Sequence, residues 1–440
     1  MRLAGLNFDA IPDISSPFRF YLTAPLFAIL AAILLGLNGE TVWLSRWMPV
    51  TLAITHLIAL GTMVMIMIGS LFQVMPVLCG VPIPISGWRL TLFHIMYSLG
   101  VLALSAGFLE WLNFGVAYVL LGFSLSYFVV VLGRTFIINA KGEQTRTPIL
   151  LSIVALSALL IIGLLLVSGY LWEGLPTFGK SLTNLHAGIG AFGWVMLLIM
   201  AVSFQVIPMF HVTPSFSARW RKGLVLASVL GLVTSVLIIE QANAYWGWII
   251  CIISALSYCG LTLKKLSERK RKLPDIVVTC WRCGLSNLAL SCVLLLWLLL
   301  PFGQQTWTLQ WHSKLEVLIG YIFGMGFVLA IIQGMLLKIV PFLITLHLQK
   351  IMMQNPMSMI PLPDHYQLIS RKRMQYQFRL YIALLTCIAV GFFAPHLTVL
   401  IALAFAFNWL CIANNILHAL LQYRDYRSRL LASPPNAMTT

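Results

Sequence analysis

Three histidines and three polar residues recur along this chain at nearly constant stride. His56, His186 and His312 stand 5, 7 and 14 residues before Gly61, Gly193 and Gly326. Twelve residues after those glycines come Gln73, Gln205 and Lys338, each three residues before a proline: Pro76, Pro208 and Pro341. The stretches read "SLFQVMPVL", "SFQVIPMF" and "LLKIVPFL", and the intervals between copies are 132 and 133 residues. An imidazole in such a run can ligate iron or copper, carry a proton, bind a substrate, or simply pack at a helix end. A carboxamide or ammonium inside an apolar run is costly in hydrocarbon, which makes Gln73, Gln205, Gln333 and Lys338 functional candidates. A proline within a helix removes one backbone bond and frees the carbonyl four residues earlier, here Phe72, Phe204 and Leu337. The polar residue could occupy that opened backbone or face a water-filled cavity. Alternatively the proline ends the helix near the membrane surface and the polar side chain sits at the interface.

Composition fixes the solvent. Sixty per cent of the residues are hydrophobic, nine per cent are charged and the mean hydropathy is +0.93, far from a soluble domain. A helix needs about 20 mostly apolar residues to span a bilayer. Twelve segments qualify: 18–38, 50–78, 88–109, 114–138, 148–171, 183–210, 221–240, 245–264, 277–301, 312–345, 378–395 and 397–422. Their length excludes barrel strands, which are about 10 residues of alternating character. The N-terminal "MRLAGLNFDAIPDISSPFR" lacks the compact basic, apolar and small-residue pattern of a cleaved signal and is expected in the mature protein.

A net charge of +16 could suggest nucleic acid, but its distribution points to a bilayer instead. Twenty-five of 28 basic residues fall at the termini and in the even-numbered connections, densest in "LKKLSERKRKLPD" and "ISRKRMQ". Only Arg46, Lys180 and Lys314 fall on the other side. This asymmetry predicts a multi-pass protein of the bacterial inner membrane with both termini cytoplasmic, and no nucleic-acid partner. The basic runs could also bind anionic lipid or a protein partner.

The stride then predicts one membrane domain over 1–440, built of three parallel four-helix repeats at about 1–145, 146–275 and 276–440. The repeated motifs fall in the second, sixth and tenth helices. Eight cysteines (79, 251, 259, 280, 283, 292, 387 and 411) lie mostly within spans, and the "CWRC" at 280–283 reads as structural. Met63, Met65 and Met67 alternate and are expected to pack or face lipid. The Met- and Pro-rich "MMQNPMSMIPLPDH" reads as a short surface segment, and the remaining six histidines as structural.

Three parallel four-helix repeats are the plan of the catalytic subunit of haem–copper oxidases. The chain resembles that superfamily over essentially its whole length, most closely its non-oxidase relatives of the NnrS type. The resemblance is carried by "THLIALGTMVMIMIGSLFQVMPVLCGVPIP" and "NLHAGIGAFGWVMLLIMAVSFQVIPMFHVTP". It implies an all-α, pseudo-threefold membrane fold. It also implies that His56 stands where the oxidases place an axial ligand to low-spin haem, and His186 where they place a copper ligand. Depth agrees: at 1.5 Å per residue His56 and His186 differ by about 3 Å, with His312 on the order of 10 Å further out. Thr55 and Asn184 are the neighbours able to orient the two rings. The departures are equally specific. The tenth helix lacks the two histidines that hold both haems, with His312 only at its mouth, and the seventh lacks a histidine pair. Oxygen reduction is therefore not expected, and no enzymatic activity is assigned. The expectation is a protein binding haem b, with copper as the second candidate, in redox or nitric-oxide-related physiology. A transporter of a small solute or metal ion, lined by the Gln and Lys residues, is the alternative; a scaffold without cofactor is the third.

Overall fold

The structure is a computed structural model that describes residues 11–139, 143–172, 179–239, 241, 245–300, 306–354 and 360–432. Among them there is no strand, and twelve helices are long and apolar enough to cross a membrane. They are α1 Ser15–Trp43, α2 Pro49–Cys79, α3 Gly87–Phe108, α4 Phe114–Asn139, α5 Thr145–Leu171 and α6 Lys180–His211. The second half comprises α7 Ala218–Leu237, α8 Tyr245–Ser267, α9 Ile276–Leu299, α10 Trp311–Gln354, α11 Arg371–Phe393 and α12 Pro395–Ala432. Helices are forced because hydrocarbon offers no partner for backbone N–H and C=O groups, so each segment must satisfy its own.

The sequence places each of these helices, but it underestimates the last ones. α10 runs nine residues past the expected end at 345 and α12 ten past 422. Apolar periodicity fades there while helical hydrogen bonding does not; an Arg429–Asp425 pair at 2.7 Å supports the final turns of α12. Starts and stops are local chemistry. Gly80 ends α2 with φ of 69°, a left-handed conformation open to a residue without Cβ. Asp275 caps α9 by accepting the Val277 N–H at 2.9 Å.

Each of α2, α6 and α10 is an inner helix. Within their most apolar windows 78%, 61% and 89% of residues are buried, against 56% or less in the other nine. α1 packs on α2, α5 on α6 and α9 on α10. α3 pairs with α4, α7 with α8 and α11 with α12, while α4–α5, α8–α9 and α12–α1 contacts close the ring. Apolar side chains on the outer helices, such as Phe123, Val130, Ile161 and Leu237, are exposed and suit contact with lipid chains. Met63, Met65 and Met67 are all buried, so they pack within the protein.

The three inner helices share an irregularity. Each contains a π-helical stretch, at Leu57–Val64, Ile189–Met196 and Ile322–Val328. Each stretch contains the repeated glycine. A Cβ on Gly61 would lie 2.8 Å from Phe27 Cβ on α1, one on Gly193 2.8 Å from Ala155 Cβ on α5, and one on Gly326 2.9 Å from Asn287 on α9. The glycines are thus the points where each inner helix meets the helix before it. A π turn misaligns the i→i−4 ladder, and tyrosines meet carbonyls there: Tyr97 Oη donates to the Leu60 carbonyl at 2.9 Å, and Tyr381 Oη donates to that of Gly326.

Gly61→Ala and Gly193→Ala are therefore each expected to cost about 1–3 kcal/mol, read as a lower unfolding temperature in detergent. Gly260→Ala on α8, where an added Cβ meets nothing within 4 Å, is expected to leave that temperature unchanged or slightly raised.

Candidate functional site

His56 and His186 come together. Their ring centroids lie 6.5 Å apart with planes inclined by 29°. α2 presents His56 towards the end of α3, where its ring stacks on Phe108 at 5.1 Å. α6 presents His186 towards α5, where a Cβ on Gly163 would lie 3.1 Å from Cε1 of the imidazole. His56 Nδ1 lies 2.8 Å from the Leu52 carbonyl one turn earlier. A carbonyl can only accept, so this bond fixes the proton on Nδ1 and leaves the lone pair on Nε2. His186 Nδ1 is buried and has no hydrogen-bond partner among the described residues. Thr55 and Asn184 do not orient the rings. Thr55 donates to the Thr51 carbonyl at 2.7 Å, and Asn184 accepts from Arg46 at 2.6 Å. The helix backbone of α2 takes the orienting role for His56.

His312 belongs to a different group. Its Nδ1 faces Glu316 at 4.0 Å, and Glu316 bonds Arg46 at 3.0 Å. Arg46, just before α2, thereby ties the mouth of α6 through Asn184 to that of α10 through Glu316. Lys180 lies over the Trp47 ring that Arg46 also covers. Arg46 thus pins two inner helices at this end, while Lys314 lies over Trp311 of its own helix.

A cavity of about 120 Å³ lies between α2, α6 and α10, nearer the opposite, basic end. Six positions of the 132- and 133-residue frame are contributed by all three helices, among them Ile66/Leu198/Ile331, Val74/Val206/Ile339 and Val77/Met209/Phe342. The four polar candidates do not share this space. Gln73 lines it, is 3% exposed, and neither atom of its carboxamide has a partner, so it does not occupy the backbone opened by Pro76. Gln205 accepts from Thr145 on α5 at 3.5 Å, and Gln333 from Asn408 on α12 at 3.5 Å. Lys338 pairs with Asp275 at 3.4 Å. The prolines do not act alike either: α2 and α6 end three residues beyond theirs, whereas α10 continues for thirteen.

Asp275 organises a charge cluster at the basic end that the motifs did not signal. It caps α9, pairs with Lys338 of α10 and faces His211 of α6 at 3.8 Å. Burial alone would raise its carboxyl, but Lys338, the Val277 N–H and His211 hold it below the usual carboxylate range. Burial and then the Lys338 charge push the nearby His365 imidazole down to about 4, against the pull of Asp364 and Asp275.

Among the described residues no three His, Cys, Asp or Glu side chains converge as a metal site. The His56–His186 donor set is therefore two imidazoles, one with its lone-pair nitrogen fixed. Two protein nitrogens are too few for a closed four-coordinate zinc or copper site. They suit haem iron, whose other ligands come from the macrocycle. No protein-family model and no curated protein matches this chain.

Asp275 and His365 both bind protons less readily in the folded chain than in the unfolded one. Stability is thus fullest above the ordinary His value of 6.5 and falls as pH drops towards 4. Unfolding temperature measured across this range should decline on acidification, and His365→Gln should flatten the decline.

Proposed function

We propose that this chain is a haem-b-binding protein of the bacterial inner membrane, built of three related four-helix units about a pseudo-threefold axis. The observation that carries the cofactor reading is the His56–His186 pair at 6.5 Å, with Nδ1 of His56 held by the Leu52 carbonyl. That bond is the kind of outer contact that fixes the tautomer of a metal-binding imidazole. His56 and His186 would hold the iron, and Phe108 would pack against the His56 ring. A b-type haem bound there would supply one-electron redox chemistry, in redox or nitric-oxide-related physiology. The residues themselves offer two imidazole nitrogens and the Phe108 ring beside one of them; α2 and α6 supply the backbone that holds the ring planes within 29° of each other. Copper finds less support, because a third donor is lacking among the described residues. So does the transport reading, since Gln205, Gln333 and Lys338 are engaged with Thr145, Asn408 and Asp275 and do not line one path with Gln73.

The threefold plan is supported by the shared π stretches, the glycine contacts with α1, α5 and α9, and the common register of the cavity wall. The basic end is the cytoplasmic one by its excess of Lys and Arg. Reporter fusions after Lys272 and Lys372 should read cytoplasm, and a fusion near Lys180 the outside; a periplasmic reading after Lys272 would contradict this orientation.

Purified protein should show a Soret band that sharpens and shifts on dithionite reduction. His56→Ala should remove or convert it, because the iron would lose one of its two protein nitrogens. His418→Ala, on α12, should leave it unchanged. Protein that purifies colourless after expression with haem precursor would refute the reading.

A further inference from the structure

The cavity between the three inner helices holds an unmet hydrogen-bonding demand that the haem site does not use. Its first lining residue, Ile66, lies ten residues beyond His56 on α2, roughly 15 Å along the axis. The wall is almost wholly aliphatic, aromatic and thioether, and the polar side chains in it are Ser70, Gln73 and Ser203 together with the indole of Trp281. The serines are occupied. Ser70 Oγ shares a hydrogen bond with Tyr21 Oη at 3.1 Å; Ser203 Oγ donates to the Met200 carbonyl at 2.9 Å and accepts from Tyr258 Oη at 2.8 Å. Gln73 and Trp281 are not. Gln73 Oε1, Gln73 Nε2 and Trp281 Nε1 are all buried without a partner, in residues 3% and 2% exposed. A buried polar group left unmade costs about 1–3 kcal/mol, so two such side chains on one cavity imply something that completes them.

We infer that this cavity is a binding site for a small uncharged molecule with an apolar body and one carbonyl flanked by an N–H or O–H, the carboxamide being its simplest form. The chemistry follows from the donors and acceptors present. A carbonyl oxygen would accept from Gln73 Nε2–H or Trp281 Nε1–H, and the adjacent N–H would donate to Gln73 Oε1, pairing amide with amide. Charge is disfavoured by the wall: among the described residues no ionised side chain lines it, and Lys338, next to the lining residue Ile339, is paired with Asp275. A carboxylate or ammonium would enter uncompensated. Size follows from volume. About 120 Å³ is somewhat below an engineered cavity of about 150 Å³ that holds benzene, so the ligand has on the order of six heavy atoms.

Butyramide is the probe, tested on the full-length protein in detergent by thermal unfolding and by saturation-transfer NMR of the probe. Millimolar butyramide should raise the unfolding temperature and show saturation transfer. Its isosteres 2-pentanone, which lacks the N–H, and butyrate, which is charged, should bind at least several-fold more weakly. Gln73→Leu should weaken butyramide binding on the order of tenfold, the equivalent of one hydrogen-bonded pair, and Trp281→Phe should weaken it less. Val206→Phe, which fills the cavity without touching either anchor, should abolish it, so a folding defect in one variant does not decide the outcome. Butyramide binding that is equal in Gln73→Leu and wild type, or stronger binding of 2-pentanone than of butyramide, overturns the inference. So does an absence of butyramide binding to a folded wild type, which would leave ordered water as the partner of Gln73. None of these outcomes depends on whether haem is bound at His56.

Discussion

The inner helices share one constraint: at the same register each comes too close to the helix before it for a side chain to intervene. Gly61 lies against Phe27, Gly193 against Ala155 and Gly326 against Asn287, each at a distance that leaves no room for a Cβ. Within lipid there is no hydrophobic drive between helices, and association relies on close packing and on satisfied polar groups. Each glycine lets α2, α6 or α10 settle into the helix before it, and a π stretch sits at the same level. The irregular turns expose carbonyls that tyrosines of α3 and α11 then meet. Small residues and backbone distortion thus coincide in all three inner helices, and in α2 and α10 a tyrosine donor joins them.

What lies above and below these contacts differs in kind. Towards the sparse-charge end, Arg46 ties the mouths of the inner helices through Asn184 and Glu316, and just inside it the two imidazoles stand side by side. Towards the basic end, the aliphatic cavity gives way to Asp275, Lys338, His211 and His365. The ion-paired groups sit at the ends of the bundle, where water can share the cost of charge. The two sites proposed in the interior rely on neutral donors and lone pairs. That division is what a low-dielectric interior imposes.

Much of this was legible in the sequence. Span number followed from hydropathy, and the similar depth of His56 and His186 followed from their similar distance to aligned glycines; that the two rings meet was not legible, because depth says nothing of which faces two helices turn to each other. The stride located Gly61, Gly193 and Gly326, though not what they meet, because Phe27, Ala155 and Asn287, packing partners 34, 38 and 39 residues away, leave no periodic trace. Polar residues were harder. Gln73, Gln205 and Lys338 look equivalent in the frame, yet one faces a cavity, one a threonine and one a carboxylate. Equivalent register fixes only the inner helices; the partner comes from neighbours that differ between copies. Asp275 could have been suspected from the scarcity of acidic residues, twelve in 440, and from its place before an apolar run. Trp281 carried no such signal: a tryptophan beside two cysteines reads as ordinary packing until its indole N–H is found without a partner.

The orientation of the His56 ring concentrates the functional account in one nitrogen. Its Nδ1 is committed to the Leu52 carbonyl, so in the proposed haem site ligation by His56 would run through Nε2, with the His186 ring 6.5 Å away. Low-temperature electron paramagnetic resonance of the oxidised, purified protein tests this most directly. If both histidines hold one haem iron, wild type should give a low-spin ferric signal that becomes high-spin in His186→Ala, where only His56 remains. A wild-type signal that is high-spin, or one that His186→Ala leaves unchanged, would contradict the assignment of these two histidines to a single iron.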